Sequence, residues 1–371
     1  MTKKIILIFI GSLNIGGTEK QLLNISKKIY KDFKFKIFTV QEKGILSKKF
    51  EELGIEVVEP RYKRNRKSFF NIIFFYIFLI LDILKIYIAL KPKVVHYYLP
   101  HSYILAGFLT FFSNKTNFIM SRRSLNVYQK KYRFINKVES FLHKKMNVII
   151  ANSKEIKKEL VETEKVAENK CRIIYNGISI NQKKISNKKN KVLKLICVAN
   201  LLPYKNHEMI LKALSIIPAK YKWNLHLLGK ENKIILENLN KIIKENNLTN
   251  KVFFHGQQDN PDIFLASSDI ALLTSDEEGF SNSILEYLNS SLPVIATNVG
   301  GNSESVRDNI NGFLIQKGNY KELSEKIIYL FDNPNIRNKM GEQSYKIVSR
   351  EFALSKCVKE YKNLYNKLIK D

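Results

Sequence analysis

The chain has 371 residues, 45% of them hydrophobic, and carries 62 lysines and arginines against 34 acidic residues, a net charge of +28. This length and composition, without a low-complexity tract, exclude a disordered chain and predict two domains, each with its own core. The three cysteines, Cys171, Cys197 and Cys357, are far apart and show no CxxC spacing. They therefore predict neither a disulfide framework nor a metal site, and they fit a reducing cytoplasm.

The positive charge is concentrated in the first half of the chain. Residues 1–190 hold 38 Lys and Arg against 14 Asp and Glu, whereas residues 191–371 hold 24 against 20. Such asymmetry predicts that one half meets an anionic partner, either nucleic acid or an anionic membrane surface. An AT-rich genome would also raise the lysine content, but it would not do so in one half only.

Apolar, strand-like runs alternate with helical segments along the whole chain, which predicts an α/β protein with two parallel-sheet domains. The short apolar run 5–10 leads into a glycine-containing loop, so we interpret it as a first strand and not as a signal peptide. A polar, lysine-rich linker is expected at 179–190. We place the first domain at 1–180 and the second at 181–355, with residues 356–371 packing back on the first. The predicted strands are 5–10, 35–40, 94–98, 117–120, 148–151, 193–198, 224–228, 252–254, 270–273 and 294–296.

Residues 69–90 are the most hydrophobic segment, and as a helix they would be long enough to cross a bilayer. A transmembrane span would interrupt the first sheet and bury Asp82 and Lys85. A core helix would not need aromatic side chains around its circumference. A helix lying in the membrane plane fits best. Its predicted lipid contacts are Phe69, Phe70, Phe74 and Phe75, preceded by the basic residues Arg64, Arg66 and Lys67.

The most informative motif lies between residues 278 and 286. An apolar strand at 269–274 is followed by a turn and by the start of an apolar helical face. The free N–H groups at that helix start, with Ser281 and Asn282, would attract a diphosphate. Glu286, about one turn inside the helix, would accept hydrogen bonds from sugar hydroxyls, and Glu278 would face a second sugar.

Two glutamates with this spacing resemble the nucleotide-binding segment of the retaining GT-B glycosyltransferases of the group 1 or family 4 type, which include bacterial capsule and lipopolysaccharide enzymes. The resemblance covers nearly the whole chain in the expected order. Its further segments are 16–19, 175–178, Lys205, 293–297, 300–304 and 311–314. It implies two Rossmann-like domains that face a central cleft, with an acceptor domain first and a donor domain second.

The resemblance also implies roles for individual residues. Glu278 would stabilise charge on the transferred sugar, and Lys205 would neutralise the leaving diphosphate. Asn200 stands where the family has an arginine, so one cation of the phosphate clamp is missing. The implied donor-binding residues are Gly16, Gly17, Asn200, Lys205, Gly229, Lys230, His255, Gly256, Glu278, Gly279, Phe280, Ser281, Asn282 and Glu286.

In the first domain, such enzymes commonly place a histidine at a strand end close to the donor sugar. Arg122 or Arg123 occupies that position here, and an arginine can steady a diphosphate but cannot act as a base. The catalytic candidates in this domain are Arg122 and, from the preceding strand, His96. No metal or other cofactor is expected, because Asp276 and Glu277 have no second acidic cluster beside them.

The expected activity is retaining transfer of a sugar from a nucleotide donor, expected to be a UDP-sugar, to a membrane-associated, lipid-linked glycan. The enzyme would lie on the cytoplasmic face of the inner membrane as a peripheral protein. A nucleic-acid-binding protein is disfavoured because no compact module interleaves basic and aromatic residues. Two alternatives remain: a GT-B scaffold with impaired catalysis, and a nucleotide-sugar epimerase on the same architecture.

Overall fold

The computed structural model describes residues 4–63, 69–126, 133–180 and 192–370. The chain divides into two compact units, residues 1–177 with 354–371 and residues 178–353. The linker predicted at 179–190 lies outside the described residues from position 181 onward, as do Arg64, Arg66 and Lys67.

The first unit is built on a seven-stranded sheet in which every strand pair is parallel. The strand order is β3-β2-β1-β4-β5-β6-β7. The strands are β1 (Ile5–Ile10), β2 (Lys34–Thr39), β3 (Glu56–Val58), β4 (Val94–Tyr98), β5 (Asn117–Arg122), β6 (Val148–Ala151) and β7 (Cys171–Ile173).

Helices cover both faces of this sheet. They are α1 (Gly17–Ile29), α2 (Ser47–Glu51), α3 (Phe69–Leu90), α4 (Leu99–Ala106), α5 (Arg133–Lys145), α6 (Lys154–Glu162) and α14 (Leu354–Lys370), with 3₁₀ helices at Gly107–Phe111 and Glu168–Lys170. The unit has one core on each face of its sheet, because the side chains of the buried strand β1 alternate between the two faces. Its residues 6, 8 and 10 pack with α1 and α14, whereas residues 7 and 9 pack with α3, α4 and α5.

Helix α3 lies along the second of these faces with one side buried. Phe75, Leu79 and Ile83 are at most 4% exposed and belong to the core, whereas Phe70 is 72% and Phe74 49% exposed. The prediction that Phe75 contacts lipid is therefore wrong, because the helix turns that side chain toward the sheet. The side chain of Phe69 lies outside the described part of the structure.

The second unit contains a six-stranded parallel sheet in the order β10-β9-β8-β11-β12-β13. Its strands are β8 (Leu193–Val198), β9 (Trp223–Leu228), β10 (Val252–Phe254), β11 (Ile270–Leu273), β12 (Val294–Thr297) and β13 (Gly312–Ile315). Its helices are α7 (His207–Ser215), α8 (Lys233–Glu245), α9 (Asp262–Ser267), α10 (Asn282–Asn289), α11 (Asn302–Ser305), α12 (Tyr320–Asp332) and α13 (Pro334–Glu351), with a 3₁₀ helix at Pro203–Lys205. The two parallel sheets confirm the predicted α/β class.

Candidate active site

In the second unit, the loops after β8, β11 and β12 meet at the carboxyl edge of the sheet. The Thr274 hydroxyl donates to the carbonyl of Asn206 at 2.9 Å, and the backbone N–H of Asp276 donates to the carbonyl of Tyr204 at 2.6 Å. The Thr297 hydroxyl donates to the carbonyl of Ser275 at 2.5 Å. Since β8 and β11 are neighbouring central strands, these bonds fix the edge where open α/β sheets bind ligands.

Lys205 and Glu278 form an ion pair within this edge. The ammonium of Lys205 donates to Glu278 Oε1 at 2.5 Å, and the hydroxyl of Ser275 donates to the same oxygen at 2.7 Å. The two charged side chains are only 15% and 10% exposed. Burial acts to lower the pKa of Lys205, but the Glu278 carboxylate outweighs it, so the pKa of Lys205 is raised above its usual value. The edge thus holds a cation next to a carboxylate.

Helix α10 begins beside this pair. The Ser281 hydroxyl accepts from the backbone N–H of Ile284 and caps the helix. Ser283 donates to the carbonyl of Val198 at 2.6 Å, and the Tyr287 hydroxyl accepts from the backbone N–H of the same residue at 2.6 Å. These bonds fix the helix against the end of β8, so its N-terminal N–H groups keep a fixed position. Glu286, half-buried, lies about one turn inside.

The β9 and β10 loops form the neighbouring part of the edge. The Asn200 side-chain oxygen accepts from the backbone N–H of Lys230 at 2.8 Å, and Gly229 N–H donates to the carbonyl of Gly256 at 2.8 Å. His255 forms a hydrogen bond of 2.9 Å with His226. Asn200 therefore ties two loops together and does not supply the charge of the expected arginine.

In the first unit, Gly16 and Gly17 mark the start of α1 at the carboxyl edge of the sheet, with Gly16 at the N-cap position. The Glu19 carboxylate folds back over Gly16, so that a Cβ at residue 16 would lie 2.3 Å from its Oε2 atom. Burial raises the pKa of Glu19, although a hydrogen bond to its own backbone and the nearby Arg123 act in the opposite direction.

Arg123, the first residue after β5, lies in the same region. Its guanidinium donates to Asn176 Oδ1 at 2.7 Å and to the Tyr361 hydroxyl at 3.0 Å, and it lies 5.4 Å from the ring centre of Tyr98. The structure thus brings a cation, a carboxylate and a glycine-containing helix start to one edge of the first sheet.

In comparison with known proteins, each half of the chain matches a glycosyltransferase family. Residues 179–347 match the family described as glycosyl transferases group 1, and residues 15–182 match glycosyltransferase family 4. The chain belongs to the group 1 glycosyltransferases. The resemblance that the ordered motifs predicted is confirmed, as are the GT-B fold and the assignment to the glycosyltransferases.

Three relatives illustrate the range of this group. A glycosyltransferase of Methanocaldococcus jannaschii, of uncharacterised activity, is 29% identical over 64% of this chain, and the match spans 63% of its own length. The N-acetylgalactosamine-N,N'-diacetylbacillosaminyl-diphospho-undecaprenol 4-alpha-N-acetylgalactosaminyltransferase of Campylobacter jejuni is 27% identical over 89% of this chain and 91% of its own. The crystal structure of Anabaena HepE with UDP superimposes with a TM-score of 0.85 over 98% of this chain and 100% of that one, at 18% identity.

Two catalytic candidates of this group 1 chain do not lie where the sequence predicted. His96 is fully buried, and its two ring nitrogens form hydrogen bonds of 2.8 Å with Tyr365 and Ser121. Burial, with a contribution from Arg123, holds the pKa of His96 well below its usual value. A direct contact with the donor is incompatible with this position, so we assign His96 to the core.

Arg122 is likewise fully buried, on the opposite face of the sheet from Arg123. It forms ion pairs with Glu139 at 3.2 Å and Glu164 at 2.8 Å, and Glu164 also pairs with His143. The predicted catalytic role of Arg122 is therefore wrong. Arg123 instead lies at the carboxyl edge of the sheet near Glu19, and strand alternation is the signal that separates the two arginines.

The remaining predicted residues of the second unit lie along one edge. Lys205, Glu278, Ser281, Asn282 and Glu286 occupy the β8 and β11 loops and the start of α10, whereas Gly229, Lys230, His255 and Gly256 follow β9 and β10. Phe280 is 6% exposed, and its ring packs against Phe352, so it supports the loop from beneath. Among the described residues, no group of three or more His, Cys, Asp or Glu side chains is placed to hold a metal ion.

Proposed function

We propose that this chain transfers a sugar from a nucleotide-diphosphate sugar, with retention of configuration, to a lipid-linked glycan during synthesis of a bacterial surface polysaccharide. The observation that carries the proposal is the Lys205–Glu278 ion pair beside the N-terminus of α10. It combines a cation, a carboxylate and a helix N-terminus at the carboxyl edge of a parallel sheet.

The donor would bind with its diphosphate at the start of α10. Backbone N–H groups near Ser281 and Asn282 and the helix dipole favour negative charge there, and Lys205 adds a full positive charge. Glu286 would accept hydrogen bonds from the ribose hydroxyls. The base would lie along Gly229 and Gly256, where backbone groups face the ligand. UDP is the favoured nucleotide because HepE, which shares the fold, was crystallised with UDP.

Glu278 would act on the transferred sugar. Its hydrogen bonds to described residues are all made at Oε1, from Lys205 and Ser275, which leaves Oε2 for a sugar hydroxyl. As the bond between the anomeric carbon and the diphosphate breaks, the sugar becomes positively charged and the diphosphate negatively charged. Glu278 stabilises the first charge and Lys205 the second, so the pair serves the transition state more than the ground state.

In a retaining transfer of this kind, the acceptor attacks the sugar on the face that the diphosphate leaves. A second carboxylate that activates an acceptor on the opposite face is therefore not required. The name of the Campylobacter relative gives an alpha linkage, which is the product expected if an alpha-linked donor reacts with retention. No metal is required in this proposal, since Lys205 and α10 supply the positive charge for the leaving group.

The acceptor would be presented at a membrane. Helix α3 is long and apolar enough to cross a bilayer, but its buried side packs on the sheet and its outer side exposes Phe70, Phe74, Ile77 and Leu81. An apolar outer side in a basic half-chain supports attachment in the plane of an anionic membrane. We place the enzyme on the cytoplasmic side, where reduced cysteines persist. The Campylobacter relative acts, by its name, on a diphospho-undecaprenol-linked glycan.

The experiment is turnover of UDP-, GDP- and ADP-sugars by the purified chain, with and without lipid extract, followed by NMR of the product linkage. We expect one donor to be consumed, faster with the extract, and the product to keep the anomeric configuration of the donor. A donor isomerised without any acceptor would instead indicate an epimerase. Failure to bind or turn over every donor would indicate a scaffold.

A further inference from the structure

The first unit carries a second exposed aromatic surface, separate from α3. We call it the aromatic patch, and it consists of Phe111 and Phe112, at the end of the 3₁₀ helix Gly107–Phe111, and Phe134 and Phe141 of α5. These four rings are 56%, 60%, 78% and 50% exposed, respectively. Phenylalanine has no polar atom that would repay such exposure to water, so a surface of this kind indicates a binding partner.

The aromatic patch lies on the same side of the sheet as α3. Leu109 of the 3₁₀ helix and Leu142 of α5 point inward into the core that also holds Leu79 and Ile83 of α3. The opposite sides of these elements therefore face outward together. The hydroxyl of Tyr87, in the last turn of α3, donates to Thr116 Oγ1 at 3.0 Å in the loop after the 3₁₀ helix. The patch and the exposed side of α3 therefore lie on the same face of the first unit.

Within the patch, the phenylalanine rings contact each other and a lysine ammonium group. Phe111 and Phe141 stack with ring centres 5.7 Å apart, and the Lys145 ammonium lies 5.4 Å from the centre of the Phe111 ring. Along α5, the residues at positions 134, 137, 141, 144 and 145 share the outward side, alternating phenylalanine with lysine. This combination of rings and ammonium groups is typical of a helix side at a membrane interface.

The exposed charged side chains of the segments that carry the patch all have one sign. In the described residues 107–126 and 133–147 the exposed charged side chains are Lys115, Lys137, Lys144 and Lys145, and the one carboxylate, Glu139, is fully buried. A protein partner would need an apolar surface matched in shape to these rings. A bilayer with anionic headgroups needs only the rings and the surrounding positive charge, both of which are present.

We propose that the aromatic patch is a second lipid contact, so that the first unit lies with its α3 face flat on an anionic bilayer and is held at two places. A single helix in the membrane plane can rotate about its own axis, whereas two contacts on one rigid core fix the orientation of the sheet. This inference rests on the membrane attachment proposed above, and it adds the aromatic patch as a second site of contact with the bilayer.

The test is cosedimentation of the full chain with vesicles of phosphatidylcholine alone or mixed with phosphatidylglycerol. A triple variant, Phe111→Ser, Phe112→Ser and Phe141→Ser, removes three of the four rings of the patch. The matched control, Ile234→Ser, Phe253→Ser and Ile263→Ser, removes three comparably exposed apolar side chains from the second unit. A double variant, Lys144→Glu with Lys145→Glu, reverses charge without altering the rings.

We expect the aromatic variant to bind mixed vesicles at least about tenfold more weakly than the unaltered chain, and the control to bind equally well. The lysine variant should lose its preference for phosphatidylglycerol. Donor hydrolysis without lipid should be unchanged in all three. Unchanged vesicle binding in both patch variants would overturn the proposal, and if Phe70→Ser with Phe74→Ser abolished binding in that case, α3 would be the sole contact. If the unaltered chain bound no vesicles, the proposed membrane attachment would fail as well, while donor turnover would still test the transferase.

Discussion

Gly300 and Glu278 approach so closely that no side chain fits between them. A Cβ at residue 300 would lie 1.7 Å from the carbonyl oxygen of Glu278, and the backbone of Gly300 has φ of +51°, which side chains disfavour. The backbone N–H of Gly301 donates to the carbonyl of Gly279 at 3.2 Å, next to the same loop. The β12 loop therefore supports the segment that carries the proposed catalytic carboxylate.

Gly300→Ala should displace the Glu278 loop and abolish most of the transferase activity. We expect a loss of stability of about 2 kcal/mol or more, because the new methyl group clashes with backbone that cannot rotate away. Thermal unfolding and the donor turnover rate measure the two effects. The control is Gly318→Ala, where φ is +79° but a Cβ would meet open space. It should cost only about 1–2 kcal/mol and leave turnover intact. Equal turnover in the two variants would show that the Gly300 contact does not position Glu278.

Glu278→Gln should change both the rate and the pH dependence. The amide keeps the shape but not the charge, so we expect turnover to fall by about a hundred- to a thousandfold. Lys205 would keep its burial and lose the carboxylate that raises its pKa, so its pKa should fall. Since only the protonated amine attracts phosphate, UDP affinity in the variant should decline at a lower pH than in the unaltered chain.

Calorimetric titration with UDP from neutral pH to about pH 10 measures this shift. Glu208→Gln is the control, because Glu208 pairs with Lys212 on the exposed side of α7. Its pH profile should match that of the unaltered chain. An identical profile for Glu278→Gln would mean that Lys205 does not contact the diphosphate.

Arg122→Met and Arg123→Met should separate stability from activity. Removing Arg122 leaves Glu139 and Glu164 buried without their cation, which we expect to destabilise the fold by about 3–5 kcal/mol. Removing Arg123 should lower transfer while affecting stability less, since its partners Asn176 and Tyr361 are neutral. Chemical denaturation of both variants measures the change in stability, and transfer assays measure the change in activity. The reverse pattern would restore Arg122 as the functional arginine.

The three cysteines should resist alkylation in the native state. Burial raises the pKa of Cys171 and Cys357 to about 11 and that of Cys197 to about 12, so the reactive thiolate is scarce at neutral pH. Mass spectrometry after iodoacetamide treatment should find the native thiols unmodified and the denatured ones fully modified. Rapid native modification would show that one of these sites opens to solvent.

The fold was accessible from sequence because its central strands are long apolar runs separated by amphipathic helices. The sequence did not predict three of the observed strands, and each of them lies at an edge of a sheet: β3, β7 and β13. They contain three or four residues, and an edge strand is covered by fewer neighbours, so its sequence need not be continuously apolar.

The second-unit site could be predicted from a local motif, since Glu278 and Glu286 flank one turn and one helix start. The first-unit site could not be predicted in the same way. Residues 122 and 123 are both arginines, and only the register of β5 decides which one points into the core. The partners that then hold Arg123, Asn176 and Tyr361, come from positions 53 and 238 residues away.

Helix α3 shows a similar limit. Its existence and bounds followed from composition, but a helix that is apolar on every side gives no polar stripe to fix its rotation. Phe74 and Phe75 are equivalent in sequence, yet one is half exposed and the other is buried beside Leu79.

The most direct test of the central claim is a crystal structure of the chain grown with UDP. We predict the diphosphate at the start of α10, within hydrogen-bonding distance of the backbone N–H groups of Ser281 and Asn282 and of the Lys205 ammonium, with the ribose hydroxyls on Glu286. UDP bound away from this edge, or no binding at all by calorimetry under the same conditions, would contradict the assignment of the donor site.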